Sequence, residues 1–76
     1  MSEADKIFEE LGYEKIEDNR TDIACIYVNY KKYSMFTTIV RVIFHYKTKK
    51  ITVANEYMTM QELKAINKKC EELGWI

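Results

Sequence analysis

The chain has 76 residues, so we expect one globular domain that spans residues 1–76. Its 12 Lys and Arg residues balance 12 Asp and Glu residues, and 47% of its residues are hydrophobic, which excludes the disordered and fibrous classes. No apolar run approaches the roughly 18 residues of a membrane span, and the acidic N-terminus lacks the features of a secretory signal. We therefore expect a cytoplasmic protein that does not act at a membrane.

An amphipathic helix is predicted at each end of the chain. The first spans residues 3–11, because Ser2 is a favourable N-cap and apolar residues recur every three or four positions after it. The second begins after Thr59, which forms a capping box with Glu62, and it ends at Gly74. The predicted buried faces consist of Ala4, Ile7, Phe8 and Leu11 in the first helix and of Met60, Leu63, Ile66, Cys70 and Leu73 in the second.

Both helices are predicted to end in a Schellman motif, because Gly12 and Gly74 can adopt a positive φ. This ending brings the residue after the glycine into contact with a residue of the last helical turn. The expected contacts are Phe8 with Tyr13 and Cys70 with Trp75.

Four strands are predicted between the helices, at Tyr13–Asp18, Ile23–Tyr30, Phe36–Tyr46 and Ile51–Ala54 or beyond. The connecting segments 19–22, 31–34 and 47–50 are short enough for hairpins, which favours an antiparallel meander. The predicted fold is therefore α+β, in the order α-β-β-β-β-α, with both helices packed on one face of the sheet.

The longest predicted strand does not alternate cleanly between apolar and polar residues. Its even-numbered residues are nearly all apolar, whereas its odd-numbered residues include two isoleucines beside an arginine and a histidine. The sheet face away from the helices is therefore predicted to be amphipathic, and we interpret it as an interface for another protein or a second copy of the chain. In the alternative interpretation, long polar side chains cover the isoleucines and nothing binds. The candidate interface residues are Tyr27, Tyr30, Tyr33, Ile39, Arg41, Ile43 and His45.

The residues that carry chemistry do not predict catalysis, a cofactor or a metal site. His45 is the only histidine, and the nearby cation Arg41 disfavours a charged imidazole. Cys25 and Cys70 are predicted to be buried, reduced thiols, and with one histidine they cannot complete a structural zinc site. Because both glycines end helices, the chain has no glycine-rich phosphate loop.

Single-stranded nucleic acid is the alternative ligand class. Aromatic and basic residues interleave over residues 27–33, and Arg41 follows in the next strand, as in proteins that stack bases and bind phosphates. The net charge of zero argues against this class, because nucleic-acid-binding domains are usually basic. A structural domain with no separate ligand is a further alternative.

The two ends of the chain carry the segments ADKIFEELGY (4–13) and MTMQELKAINKKCEELGW (58–75), which cover under half of its length. These segments resemble a group of small uncharacterised proteins carried by phages and prophages of low-GC Gram-positive bacteria. The resemblance carries over no activity and no functional residue. It implies a short phage-type accessory protein, and many such proteins bind a host protein, including inhibitors of CRISPR or other antiviral defences. We therefore expect a non-catalytic module whose partner is a host protein or a second copy of the chain.

Overall fold

Four antiparallel strands form one sheet in the order β1-β2-β3-β4, and two helices pack against one of its faces. The structure is a computed structural model that describes residues 2–16, 23–33, 35–54 and 57–76, with the backbone alone for Ala24, Lys31, Lys32 and Tyr33. The predicted α+β meander is confirmed. Its elements are α1 (Glu3–Glu10), β1 (Glu14–Ile16), β2 (Ile23–Tyr33), β3 (Phe36–His45), β4 (Lys50–Ala54) and α2 (Met60–Glu72).

The strands lie close to their predicted positions. β2 is longer than predicted because its last residue, Tyr33, still pairs with Phe36 of β3. β1 begins at Glu14, one residue later than predicted, and its described part ends at Ile16. Residues 17–22, which include the predicted turn before β2, lie outside the described residues.

The helix ends form as the sequence predicts. Ser2 caps α1 by accepting a hydrogen bond from the backbone N–H of Asp5 at 3.1 Å, and Thr59 and Glu62 form the capping box of α2. At the end of α1, the N–H of Tyr13 donates to the carbonyl of Phe8 at 2.9 Å, which is the long hydrogen bond of a Schellman motif. The same bonds close α2, and Gly12 and Gly74 adopt φ values of +93° and +75°.

The core lies between the two helices and one face of the sheet. Phe8 of α1 is at its centre, with its ring stacked on Tyr27 at a centroid distance of 3.9 Å and edge-on to Tyr13 at 5.4 Å. Cys25 and Cys70 are buried free cysteines, as predicted. The buried core residues are Phe8, Tyr13, Cys25, Tyr27, Val40, Val42, Phe44, Ala65, Ile66 and Cys70.

The buried face of α2 differs from the predicted one. Met60 and Leu63 were expected in the core, but their exposed fractions are 74% and 40%. Relative to the predicted orientation, α2 is rotated about its axis. Two of its charged side chains are buried between the helices and the sheet, where each has a polar partner. Glu62 accepts a hydrogen bond from the Tyr13 hydroxyl, and Lys69 Nζ lies 3.7 Å from a carboxylate oxygen of α1. The buried residues of α2 are Glu62, Ala65, Ile66, Lys69 and Cys70.

The longest described helix, α2, has 13 residues. Within the described part of the chain, no helix has the length and apolar character required to cross a membrane.

Candidate interaction surface

The sheet face that the helices leave uncovered is the candidate functional surface, which we call the open face. Residues directly opposite each other on paired strands share a face, so the register assigns every strand residue to one side. The open face consists of Glu14 and Ile16 of β1, Ile23, Ile26, Val28 and Tyr30 of β2, Thr37, Ile39, Arg41, Ile43 and His45 of β3, and Lys50, Thr52 and Ala54 of β4.

The open face is apolar along its middle and accessible at its margins. Tyr30 and Ile39, which are paired across β2 and β3, are 52% and 41% exposed. Ile16 is 38% exposed at the β1 edge. Val28 and Ile26, which lie on β2 between β1 and β3, are buried although neither helix packs on this face. The described surface therefore has a shielded aliphatic centre with accessible aromatic and aliphatic groups around it.

Five of the seven predicted interface residues lie together on this face. Arg41 is exposed opposite Val28, and Ile43 and His45 follow it along β3, half-buried. The His45 Nε2 atom lies 2.8 Å from the Thr52 Oγ1 atom across β4. Because a threonine hydroxyl does not activate an imidazole for acid–base chemistry, this contact links strands and leaves His45 a surface residue.

The prediction that Tyr27 belongs to the interface is wrong. Tyr27 pairs with Val42 on the covered face, is 1% exposed, and packs against Phe8. Successive strand residues point to opposite faces, so Tyr27 and Tyr30, three positions apart, cannot share one. The seventh residue, Tyr33, pairs with Phe36 through its backbone, and its side chain lies outside the described part of the structure.

β2 and β3 extend beyond the other two strands as a two-stranded ribbon, formed by residues 29–33 and 36–40. β1 pairs only with Ile26–Val28, and β4 pairs only with Arg41–His45. Apolar side chains are concentrated at the end of this ribbon, where Met35 is 89% exposed and Phe36 is 73% exposed. The end of the ribbon therefore adds an accessible apolar surface beside the open face.

Charge is distributed unequally between this surface and the rest of the chain. Residues 23–54, which include β2, β3 and β4, contain six Lys or Arg residues and no Asp or Glu. The remaining residues contain six Lys or Arg and all 12 acidic residues. Residues 23–54 therefore carry a net charge of +6, and the rest of the chain carries −6, which gives the net charge of zero.

A polar cluster lies on the other side of the sheet, where sequence patterns gave no sign of it. The Tyr27 hydroxyl donates a hydrogen bond to Asp5 Oδ1, and the ammonium groups of Lys15 and Lys69 lie 3.4 and 3.7 Å from the same carboxylate. Burial raises the pKa of Asp5, but the Tyr27 hydrogen bond and the two cations outweigh burial and hold that pKa below its usual value. Burial and the bond to Asp5 raise the pKa of Tyr27.

A cleft of about 440 Å³ opens beside this cluster, between α1 and β1. Its aromatic walls, Phe8, Tyr13 and Tyr27, are at least 96% buried and pack on one another, so they offer a ligand little ring surface. Of the charged groups that line the cleft, Asp5 and Lys15 bind each other. We therefore interpret the cluster as a connection that joins α1, α2 and the sheet.

The remaining titratable core groups also have structural surroundings. Burial, together with the hydrogen bond to Glu62, raises the pKa of Tyr13. Burial also raises the pKa of both thiols, Cys25 and Cys70, and a protonated buried thiol is a poor nucleophile. Within the residues that the structure describes, no three His, Cys, Asp or Glu side chains are grouped so that they could hold a metal ion.

Comparison of the chain with known proteins identified no matching family model, no similar curated protein and no similar solved structure.

Proposed function

We propose that this protein is a non-catalytic binding module that attaches to another protein through the open face of its sheet. The observation that carries the proposal is that both helices cover the same side of the sheet. They leave Tyr30, Ile39 and Arg41 accessible on the other side. Tyrosine and arginine beside aliphatic side chains are the composition found at the centres of protein interfaces.

The chemistry of the open face supports a partner surface that is acidic around an apolar centre. Arg41 and Lys50 lie on the face, and Glu14 is the only acidic residue among its members. The surrounding segments 23–54 contain no acidic residue at all. An acidic partner surface would be attracted to this region, and the attraction would weaken as salt screens it.

The proposed setting is the cytoplasm of a bacterial host, where the protein acts as a phage-type accessory protein. The two terminal segments that resemble phage and prophage proteins support this setting, and so do the two buried free cysteines, which suit a reducing compartment. Inhibition of a host protein, including a component of an antiviral defence such as CRISPR, is the specific role we propose. It requires binding and no chemical step.

Affinity capture with surface variants tests this function. Tagged protein is incubated with lysate of a low-GC Gram-positive bacterium, and captured proteins are quantified by mass spectrometry. The double variant Tyr30→Ala/Arg41→Glu removes the accessible ring and reverses one charge on the open face. Lys64→Glu makes the same charge reversal at an exposed position of α2 and serves as the control.

We expect one protein to be captured by the wild type and by Lys64→Glu and to decrease at least about tenfold with the double variant, since hot-spot side chains contribute 1.4 kcal/mol or more. Equal capture by all three proteins would show that binding uses another surface. Capture lost in both variants would indicate that net charge, and not the open face, determines binding.

Binding of single-stranded nucleic acid is the second candidate function. The excess of six positive charges over residues 23–54 favours it more than the net charge of the whole chain does. Base stacking disfavours it, because Tyr30 is the one Phe, Tyr or Trp ring among the described members of the open face and stacking platforms usually use several. Titration with a labelled single-stranded oligonucleotide at low salt distinguishes the two functions, since we expect no saturable binding at tens of micromolar.

A further inference from the structure

The outer edge of β3 along Phe36–Val40 has no pairing strand among the described residues. β4 reaches only as far as Ala54, which pairs with Arg41, and β2 occupies the other edge of β3. Four of the five residues in this segment are exposed, with Val40 as the exception. An unpaired strand edge presents backbone N–H and C=O groups that can add another strand.

This edge lacks the features by which proteins usually prevent pairing between molecules. Its sequence, Phe-Thr-Thr-Ile-Val, contains no charge, no proline and no glycine, and each residue favours strands. The other edges of the sheet differ. The free part of β2 includes Lys31 and Lys32, β1 includes Glu14 and Lys15, and β4 begins with Lys50. Charges at those positions oppose pairing with another molecule, so within the described part of the sheet the Phe36–Val40 edge is the one without such protection.

We propose that Phe36–Val40 pairs antiparallel with the same segment of a second copy of the chain, centred on Thr38. The segment is complementary to itself in this register. Thr38 faces Thr38 of the second copy, Phe36 faces Val40, and Thr37 faces Ile39. Threonine pairs and pairs of an aromatic with a β-branched residue are among the favourable cross-strand pairs. A shift by one residue would lose the match of Phe36 with Val40.

The resulting dimer is closed by symmetry. Two antiparallel strands in one sheet are related by a two-fold axis perpendicular to the sheet, and the same edge of both copies is used, so no third copy can add there. Both pairs of helices lie on one side of the combined sheet, and both open faces lie on the other. Dimerisation uses the backbone edge of β3, whereas the proposed function uses side chains of the open face, with Ile39 belonging to both. The dimer would place two open faces side by side.

The charges and the size of this interface predict a weak dimer. Lys31 and Lys32 belong to β2, one strand away from the paired edge, so they oppose association mainly at low salt. A pairing of five residues buries less than the roughly 1,000 Å² of a stable interface. We therefore expect a dissociation constant of about 10–500 µM, and salt should strengthen the dimer slightly.

Sedimentation equilibrium of the purified chain, from about 10 µM to about 1 mM, tests the proposal. Thr38→Lys places a charge at the centre of the paired edge, and Thr48→Lys adds the same charge at an exposed position in the turn between β3 and β4. We expect the wild type and Thr48→Lys to dimerise alike, and Thr38→Lys to weaken dimerisation at least tenfold. A circular dichroism spectrum checks that both variants are folded.

Disulfide trapping tests the register independently of stability. With Thr38→Cys, the two introduced thiols face each other across the two-fold axis, at the separation of paired strands, which suits a disulfide. Thr48→Cys is the matched control at an exposed turn position. The native thiols, Cys25 and Cys70, are buried and do not compete. We expect mild oxidation to convert Thr38→Cys to a covalent dimer at least tenfold faster than Thr48→Cys.

Three results would overturn the proposal. They are a wild type that stays monomeric at about 1 mM, equal trapping rates of the two cysteine variants, and dimerisation that resists Thr38→Lys but is lost in Tyr30→Ala/Arg41→Glu. The last result would make the open face the self-association surface. Conversely, dimerisation with the expected variant pattern supports the edge pairing even if no host protein binds, so the two proposals fail separately.

Discussion

The two faces of the sheet are built from the same strands, but one is buried under the helices and the other is partly exposed. On the covered face, Phe8, Tyr27 and Phe44 are each at least 99% buried, and their rings pack in stacked and edge-on pairs. On the open face, Tyr30 and Ile39 remain about half exposed. The helices therefore pack on one face, and the accessible side chains of the sheet lie on the other.

Polarity does not separate the two faces. The covered face holds an acid, a tyrosine hydroxyl and a lysine in mutual contact, whereas the open face has an aliphatic centre. Buried polar groups are tolerated when each finds a partner, as Asp5 and Lys69 do. Burial and pairing, more than residue type, therefore distinguish the core from the candidate surface.

The largest expected effect is on the covered face. Phe8→Ala should lower the free energy of unfolding by about 3–5 kcal/mol, because Phe8 is fully buried among three other rings. Leu63→Ala, in the other helix, should cost less than about 1.5 kcal/mol, because Leu63 is 40% exposed. Urea denaturation of the two variants measures both values. Similar losses of stability in the two variants would contradict the half-exposed position of Leu63 on α2.

The next largest loss of stability is expected in the polar cluster around Asp5, which joins the helices to the sheet. Asp5→Ala should cost about 2–4 kcal/mol near neutral pH, because it leaves Lys69 and the Tyr27 hydroxyl without their shared acceptor. Since the folded pKa of Asp5 is lowered, its stabilisation is present above the ordinary value of 3.8 and is lost as the pH falls through the folded value. The variant should therefore lose less stability on acidification than the wild type. Denaturation at pH 7 and at low pH provides the comparison, and equal acid sensitivity would contradict it.

Local features of the sequence predict the elements of this fold well, and they predict the orientation of α2 poorly. The caps at Ser2 and Thr59 and the two glycine endings depend on a few adjacent residues, so the sequence specifies them directly. The buried positions of Glu62 and Lys69 depend on Tyr13 and Asp5, which lie about 50 or more residues away in the chain. Apolar spacing alone cannot reveal such pairs.

The sequence also predicted the residues of the candidate surface only in part. The sequence predicted an amphipathic sheet face that includes Ile39, Arg41 and Ile43, because alternation along one strand assigns them to one side. It assigned Tyr27 wrongly because the register between strands decides which residues of β2 join that side. The unpaired edge of β3 depends on where β4 ends. The sequence predicted that the last strand reaches Ala54 or beyond, and the described strand ends at Ala54.

A smaller effect is expected at high pH, from the tyrosines of the covered face. Below pH 10.0, the ordinary pKa, Tyr13 is protonated in both the folded and the unfolded chain. Above this pH the unfolded chain releases a proton that the folded chain retains, so the free energy of unfolding falls as the pH rises. Tyr13→Phe should lose about 1–2 kcal/mol at neutral pH with its hydrogen bond to Glu62. Its stability should then fall less steeply above pH 10.0 than that of the wild type, and a slope unchanged in denaturation experiments would disagree.

The smallest effect on stability is expected at the open face. Arg41→Glu should change the free energy of unfolding by less than about 0.5 kcal/mol, because Arg41 is exposed and lies in the sheet opposite the buried Val28. Urea denaturation at moderate salt measures the change. A loss of more than about 1.5 kcal/mol would mean that the arginine side chain is needed to shield the aliphatic centre of the face.

The most direct test of the central claim combines stability and binding in one variant, Tyr30→Ala/Arg41→Glu. We predict that this variant unfolds within about 1 kcal/mol of the wild type yet no longer captures the host protein that the wild type and Lys64→Glu retain. A variant that unfolds, or one that is stable and still captures the same protein, would contradict the account of the open face as a binding surface.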